Sequence, residues 1–221
     1  MKNNCDSRYK FSSCWGYGSH EHWKDILRSF KIEKVLEIGS FEGHTVCFIS
    51  EIIPKCDFHC IDTWQGDKML SKQFNFKTIE KNFDNNITLA KKNNPNHEFF
   101  KYKKKSYKQL SEFISEGKEE YFDLIYIDGA HDSQNVLFDS VCAFKLLKDS
   151  GIMIFDDYLW KGEDGNILKT PKLAIDSFVN IFSDKIYIIR KHLYQLYLIK
   201  TGNKALNKFY NQKIKKIYNV V

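Results

Sequence analysis

One stretch limits what this chain can fold into more than any other: Val35-Leu36-Glu37-Ile38-Gly39-Ser40-Phe41-Glu42-Gly43-His44-Thr45. An apolar, β-branched run ends at Gly39, and a second glycine follows four residues later. Val46, Ile49 and Ile53 then recur on one helical face. The pattern predicts a strand, a tight turn and a helix. Gly39 and Gly43 have no Cβ, so the backbone there can approach a ligand closely. The helix beyond offers unpaired N–H groups and the positive end of its dipole. The spacing is not the six-position dinucleotide fingerprint, and no Gly-Lys-Ser/Thr follows, so it is not a P-loop. Glu37, just before Gly39, is unfavourable to a phosphate and suits a cationic or hydroxyl-bearing ligand. An ordinary βα turn also carries glycine for steric reasons, so the assignment depends on the rest of the chain.

Phe58-His59-Cys60-Ile61-Asp62 reads as a second strand ending in an acid, about 20 residues past Gly39, the offset of a ribose-binding acid. An ordinary strand-end turn residue is the alternative for Asp62. Trp64, two residues on, either lies against a purine or roofs the core. Ile79, Phe83, Ile87 and Ala90 form a helical stripe that Asn93-Asn94-Pro95 ends. Glu98–Tyr102 is a third strand, Lys105-Ser106 the next turn, and Leu110, Phe113 and Ile114 a helix face. Tyr121–Asp128 is nearly continuous in apolar residues, as a parallel strand covered on both faces requires. A helix over Val136–Leu147 is stopped by Asp149-Ser150-Gly151, and Ile152–Phe155 is a fifth strand ending in Asp156-Asp157-Tyr158. Ile175, Phe178, Val179 and Phe182 mark another helix. Lys185–Arg190 and Gln195–Lys200 then alternate as strands around His192-Leu193, too short a connection for a parallel crossover. The expected fold class is α/β: a Rossmann-like, doubly wound, mostly parallel seven-stranded sheet with a C-terminal antiparallel hairpin. Such sheets bind ligands at the carboxyl ends of their strands.

At 221 residues and 43% hydrophobic, the chain suits a single domain, 1–221. Within it, 1–30 reads as an irregular arm and a cap helix, 31–200 as the core and 201–221 as a basic tail. Ser19 is the expected N-cap of a helix with Trp23, Ile26, Leu27 and Phe30 on one face, and Tyr17, His20 and Trp23 sit where a cap would cover a ligand. No eighteen-residue apolar run exists and the first residues have no apolar segment, so neither a membrane span nor secretion is indicated. The six cysteines, Cys5, Cys14, Cys47, Cys56, Cys60 and Cys142, form no Cys-x-x-Cys pair and read as reduced thiols of a cytoplasmic protein. Cys56, His59 and Cys60 do not make a zinc site, because neighbours on a strand point to opposite faces. The net charge of +6 is mild, and Lys101–Lys105 and Lys213–Lys216 read as solvated faces, so nucleic acid is not favoured.

The acids gather at strand ends. If the fourth and fifth strands are neighbours, Asp128, Asp156 and Asp157 crowd one small volume, about 5 Å being the ordinary strand spacing. Like charges so close are costly unless a cation lies between them. Oxygen ligands suit Mg²⁺, Ca²⁺ or Mn²⁺, and such an ion lowers the pKa of a bound hydroxyl. His131 titrates in the range that lets it take the proton. The alternative is that Asp156 caps a turn, Asp157 faces water and His131 packs on the loop. Asp132 and Asp164 are outer candidates.

VLEIGSFEGHT, HCIDTWQGD, FDLIYIDGAHD and GIMIFDDY together resemble the class I S-adenosylmethionine-dependent methyltransferases over roughly residues 20–200. More narrowly, they are similar to the cephalosporin-hydroxylase-like and macrolide-sugar O-methyltransferase group, which is related to the catechol O-methyltransferases. The resemblance implies that Glu37, Gly39, Ser40 and Gly43 meet the methionine part of the cofactor. It implies that Asp62 takes the ribose hydroxyls, with Thr63, Trp64 and Ser106 near the adenine and Asp128 beside the cofactor. It implies Asp128, Asp156 and Asp157 as ligands of Mg²⁺ or another divalent cation, and His131 as general base. Catechol-type members carry an asparagine second in the acid pair and often a lysine base, so a sugar with vicinal hydroxyls fits better here than a planar catechol. The expected activity is metal-assisted O-methylation of a hydroxyl on a sugar, glycan or sugar-containing small molecule. A homo-oligomer is compatible with it. The alternatives are a metal-independent methyltransferase of RNA or protein, a cofactor-binding module without catalysis, or another Rossmann-like enzyme such as a dehydrogenase.

Overall fold

The computed structural model describes residues 8–13, 15, 17–66, 70–162, 164–189 and 194–202. Cys5, Cys14, Gly16, Asp67, the connection at His192-Leu193 and the lysines of 213–216 lie outside the described residues. The chain divides into two compact units, 1–109 and 110–221. No described helix is long and apolar enough to cross a membrane.

The first unit contains α1 (Tyr17–Ser29), β1 (Lys34–Ile38), α2 (His44–Ser50), β2 (Asp57–Asp62), α3 (Leu70–Gln73), α4 (Phe76–Asn93) and β3 (Glu98–Lys103), and α5 (Ser106–Ser115) begins in it. Its strands are parallel, with Val35 opposite Phe58 and Phe58 opposite Phe99. β1 and β2 are buried almost throughout, which their continuous apolar runs require. β3 is largely exposed. There Phe99 stacks on Phe58 at 4.9 Å and Phe100 on His59 at 4.6 Å. His59 Nδ1 also meets the Tyr102 hydroxyl at 2.9 Å, so this histidine belongs to an aromatic ladder, while Cys56 and Cys60 are buried free thiols. Ser19 is not the N-cap: α1 starts at Tyr17, and Trp23, Ile26 and Leu27 are buried as the spacing predicts. α4 is capped by Asn75, whose side chain accepts from the Lys77 and Thr78 N–H groups.

The arm before α1 is irregular in backbone but firmly held. The Ser12 N–H and hydroxyl both donate to Glu42, at 2.5 and 2.8 Å, and Asn82 donates to the same carboxylate at 2.6 Å. Asn86 accepts from the Lys10 N–H and donates to the Lys10 carbonyl and the Glu42 carbonyl. The Tyr9 hydroxyl donates to Glu51 at 2.6 Å. Glu42 is 1% exposed, and these donors are what make a buried carboxylate tolerable.

The second unit contains β4 (Phe122–Ile127), α6 (Ser133–Leu146), β5 (Leu147–Phe155), a 3₁₀ turn (Ile167–Lys169), α7 (Pro171–Ile181), β6 (Ile186–Ile189) and β7 (Leu196–Lys200). β4 and β5 are parallel, β5 and β7 antiparallel, and β6 and β7 antiparallel. The order of the seven-stranded mixed sheet reads β3-β2-β1-β4-β5-β7-β6, the doubly wound α/β arrangement. β5 starts at Leu147 rather than after Gly151. The polar Asp149-Ser150-Gly151 forms an irregularity within the strand, where the register shifts between Phe122 and Leu124 and Ser150 has φ 71°. Lys200 Nζ donates to the Phe144 and Leu147 carbonyls, which places a cation on the last turn of α6.

Glu42→Ala is expected to cost about 3 kcal/mol, because the donors of Ser12 and Asn82 lose their acceptor inside the protein. Urea unfolding measures it. A loss below about 1 kcal/mol would mean that water satisfies these groups and the arm is not pinned.

Candidate active site

In the first unit, β1 and β2 end side by side, and a single acid joins the turns that follow. Asp62 accepts the Phe41 N–H at 2.8 Å on one oxygen and the Trp64 N–H at 2.7 Å on the other. The Trp64 indole N–H returns to the Phe41 carbonyl at 2.8 Å. Gly39 has φ 90° and Gly43 φ 77°, and a Cβ at Gly43 would come 3.1 Å from Phe83 Cδ2. The Gly43 N–H closes the turn on the Ser40 carbonyl at 2.7 Å.

Glu37 is 2% exposed, and its Oε2 has no hydrogen-bond partner, nor does the buried Ser40 hydroxyl. Burial, with the Asp62 charge adding to it, pushes the Glu37 carboxyl up to about 8. Burial also raises Asp62, against the backbone N–H groups that favour its charged form. A buried carboxyl with one unpartnered oxygen, at a turn where a Cβ on Gly43 would crowd Phe83, fits a ligand that brings a cationic group. Ser106 opens α5, and the Thr63 hydroxyl accepts the Gln65 N–H. Trp64 does not present an open face. It is 3% exposed, its ring is 4.8 Å from that of Phe83, and Lys101 lies 4.6 Å over it. Its indole N–H bond and its burial together turn the ring into the core.

The lysines of 101–105 are all exposed, and two of them are held in ion pairs. Lys101 pairs with Glu80 and Asp84 at 2.9 and 2.7 Å, and Lys103 pairs with Glu80 at 2.5 Å.

In the second unit, Asp128, His131 and Asp157 each offer one ligand atom, all within 4.8 Å of one another. They line a small cavity with Ile127, Ala130, Phe155 and Asp156. His131 Nε2 lies 2.9 Å from Asp157 Oδ2, and the imidazole ring is 4.8 Å from the Trp160 ring. A carboxylate only accepts, so Nε2–H is the donor and the imidazole lone pair sits on Nδ1. Asp157 itself has φ 54°. Asp156 is turned the other way: its Oδ2 takes the Tyr126 hydroxyl at 2.5 Å, and its Oδ1 takes Gln195 Nε2 at 3.1 Å and the Asp157 N–H at 2.9 Å. The same Tyr126 oxygen is 3.1 Å from Asp128 Oδ2. Burial first, and then the Asp157 charge, raises the Asp156 carboxyl. Burial and the charges of Asp157, Asp156 and Asp128 raise the phenol of Tyr194. Asp132 caps α6 through the Asn135 N–H, and Asp164 pairs with Lys169, so both stand apart from the cluster.

Sequence reasoning missed Tyr126, Tyr194, Gln195 and Trp160. Tyr126 was within reach, because residues two apart on a strand share a face and Asp128 follows it by two. Gln195 becomes visible only with the hairpin register, which sets Leu196 opposite Phe155.

The fold is that of the class I S-adenosylmethionine-dependent methyltransferases. The model of the family described as a methyltransferase domain matches residues 36–158, more than half of the chain, and the chain belongs to that family. Among curated proteins none matches it in sequence. Solved structures similar in fold include the O-methyltransferase TomG from Streptomyces achromogenes in complex with SAM, at 14% identity and TM-score 0.59, covering 87% of this chain and 82% of that one. An O-methyltransferase from Bacillus cereus in complex with SAH is 18% identical with TM-score 0.57, covering 89% and 85%. The MycE methyltransferase of the mycinamycin biosynthetic pathway, in complex with Mg, SAH and mycinamycin VI, is 16% identical with TM-score 0.54 and covers 89% of this chain but 52% of its own.

The ligand-free protein is expected to lose stability as pH rises from about 4.5 to about 8 through Glu37. The folded chain keeps that proton across this range while the unfolded chain has released it, so unfolding releases a proton and a rising pH favours it. Glu37→Gln removes this slope. Melting temperatures of both proteins between these pH values check it, and parallel curves would mean that Glu37 is already ionised in the fold.

Proposed function

We propose that this methyltransferase is a divalent-cation-assisted O-methyltransferase acting on a hydroxyl of a sugar or sugar-containing small molecule. The observation that carries the proposal is the set Asp128, His131 and Asp157, two carboxylates and an imidazole converging within 4.8 Å. S-adenosylmethionine, when bound, supplies a sulfonium methyl as electrophile. In the first unit the backbone at Gly39 and Gly43 admits the methionine part, and Glu37 with Ser40 receives its ammonium group. Asp62 receives the ribose hydroxyls, with Thr63 and Ser106 flanking the adenine. Trp64 acts from behind, by keeping the Phe41 turn in place.

Asp128, Asp156 and Asp157 would hold the cation, which when bound would lower the pKa of the acceptor hydroxyl. His131 accepts the hydroxyl proton at Nδ1, with Asp157 orienting the ring through Nε2. Trp160 shields one side of that imidazole from water. An acid at position 157 and a histidine base support an acceptor with adjacent hydroxyls over a catechol. The magnesium and mycinamycin VI bound by MycE support the same acceptor class. Buried free thiols at Cys47, Cys56 and Cys60 suit a cytoplasmic location.

His131→Ala is expected to lower kcat by about 100-fold or more while the affinity for S-adenosylhomocysteine stays within about threefold. Methyl transfer to a panel of glycosides and isothermal titration measure the two, and unchanged turnover would remove the histidine from the chemistry. Excess chelator should abolish turnover of the wild type, and full activity in chelator would end the cation's role. S-adenosylhomocysteine should raise the melting temperature by mass action with or without Mg²⁺, and no shift at saturating concentration would count against the cradle.

A further inference from the structure

His20 is a polar residue on the apolar face of α1. It precedes Trp23 by three residues and Leu27 by seven, and all three are buried. Its ring stacks on Phe48 at 4.4 Å and 10°, and meets the rings of His44 at 4.7 Å and Trp23 at 5.7 Å. A phenylalanine would make those contacts equally well. Burial, with His44 adding to it, pushes the His20 imidazole down to about 3, and burial pushes His44 down to about 4. Both rings are therefore neutral, each with one N–H and one lone pair. A buried polar ring costs free energy unless its polar atoms are met. Thr45 Oγ1, 3.4 Å from His20 Nε2, is what meets it.

Thr45 belongs in turn to the surroundings of Glu37. It is the second residue of α2 and is buried, and a hydrogen bond from its hydroxyl favours the charged form of Glu37. A hydroxyl has one proton to give. With that proton directed at the Glu37 carboxylate, Thr45 Oγ1 turns its lone pairs to His20, and Nε2 carries the imidazole hydrogen. The three side chains form a line from α1 through α2 to β1. Successive hydrogen bonds polarise one another, so a donor at the far end strengthens the bond at Glu37.

Resting on the reading of Glu37 as the acid that meets the ammonium group of S-adenosylmethionine, we infer that His20 is a positioning residue for the cofactor's amino-acid end, acting through Thr45. On this inference α1 is part of the cofactor site and not only a cover over it.

The test is the Kd of S-adenosylhomocysteine for the full chain, by isothermal titration, beside that of 5′-methylthioadenosine, which has the nucleoside without the amino-acid part. His20→Phe keeps a ring against Phe48 and removes the donor. It should weaken S-adenosylhomocysteine about fivefold, the worth of one neutral hydrogen bond, and leave 5′-methylthioadenosine within about twofold. His20→Gln, whose amide N–H reaches the place of Nε2, should restore binding. Thr45→Val should weaken S-adenosylhomocysteine about tenfold, since its hydroxyl meets a charge. His20→Phe added to Thr45→Val should cost nothing more, because the line is already cut. Equal weakening of both ligands by His20→Phe, or a glutamine as poor as the phenylalanine, would make His20 a packing residue and overturn the inference. Wild-type affinity in His20→Phe, where Glu37→Gln binds weakly, would overturn it and leave the Glu37 reading standing. A Glu37→Gln variant that binds S-adenosylhomocysteine like wild type would overturn both.

Discussion

Turns at the strand ends depend on aspartates that accept the N–H of residues in the left-handed region. Phe41, Trp64 and Asp157 have φ of 48°, 48° and 54°, a conformation that costs a non-glycine residue free energy. In each case an aspartate at or beside the strand end takes that residue's N–H: Asp62 for Phe41 and Trp64, Asp156 for Asp157. A charged acceptor makes a hydrogen bond about twice as strong as a neutral one, enough to oppose strain of this size. The acids that look like ligands from the sequence are therefore first of all what makes the turns possible.

This double duty explains the electrostatics. Asp62 and Asp156 are both pushed up by burial, and both have N–H groups or side-chain donors pulling the other way. Glu37 has no donor on Oε2, and burial pushes its carboxyl up to about 8 although the Ser40 and Thr45 hydroxyls favour the charged form. In water-poor surroundings an acid without donors holds its proton until a cation arrives. Asp62 is held by backbone N–H groups, whereas one oxygen of Glu37 is buried without a donor.

Much of this was legible in the residues, and the parts that were not share a cause. Strands β1, β2 and β4 announce themselves as continuous apolar runs because both faces are covered, and the acids at 62, 128, 156 and 157 follow directly from where those runs stop. β5 was misjudged at its start because Asp149-Ser150-Gly151 has the composition of a helix stop, whereas a strand irregularity accommodates it. Trp64 was ambiguous because an indole at a strand end suits a purine or a core equally, and the deciding fact is a bond to the carbonyl of Phe41, 23 residues back. Glu42 reads as an unremarkable turn residue, yet Ser12 and Asn82 converge on it from distant segments. Local periodicity reports which face of an element is buried. It does not report which hydroxyl or amide from another element will point at a given acid.

The same logic applies to the acids of the second unit. A carboxylate can organise a turn or bind a cation, and each hydrogen bond it accepts uses a lone pair that a cation would need. Asp156 has accepted three, which leave one lone pair, and the imidazole of His131 claims one oxygen of Asp157. Asp128 meets the Tyr126 hydroxyl at 3.1 Å, the same hydroxyl that Asp156 receives. A hydroxyl at the wrong distance from Asp128 would move the carboxylate without removing any charge. One buried hydrogen-bond chain, Tyr197 to Gln195 to Asp156 to Tyr126, thus ties the antiparallel strand that follows the parallel core to the acids at the ends of β4 and β5.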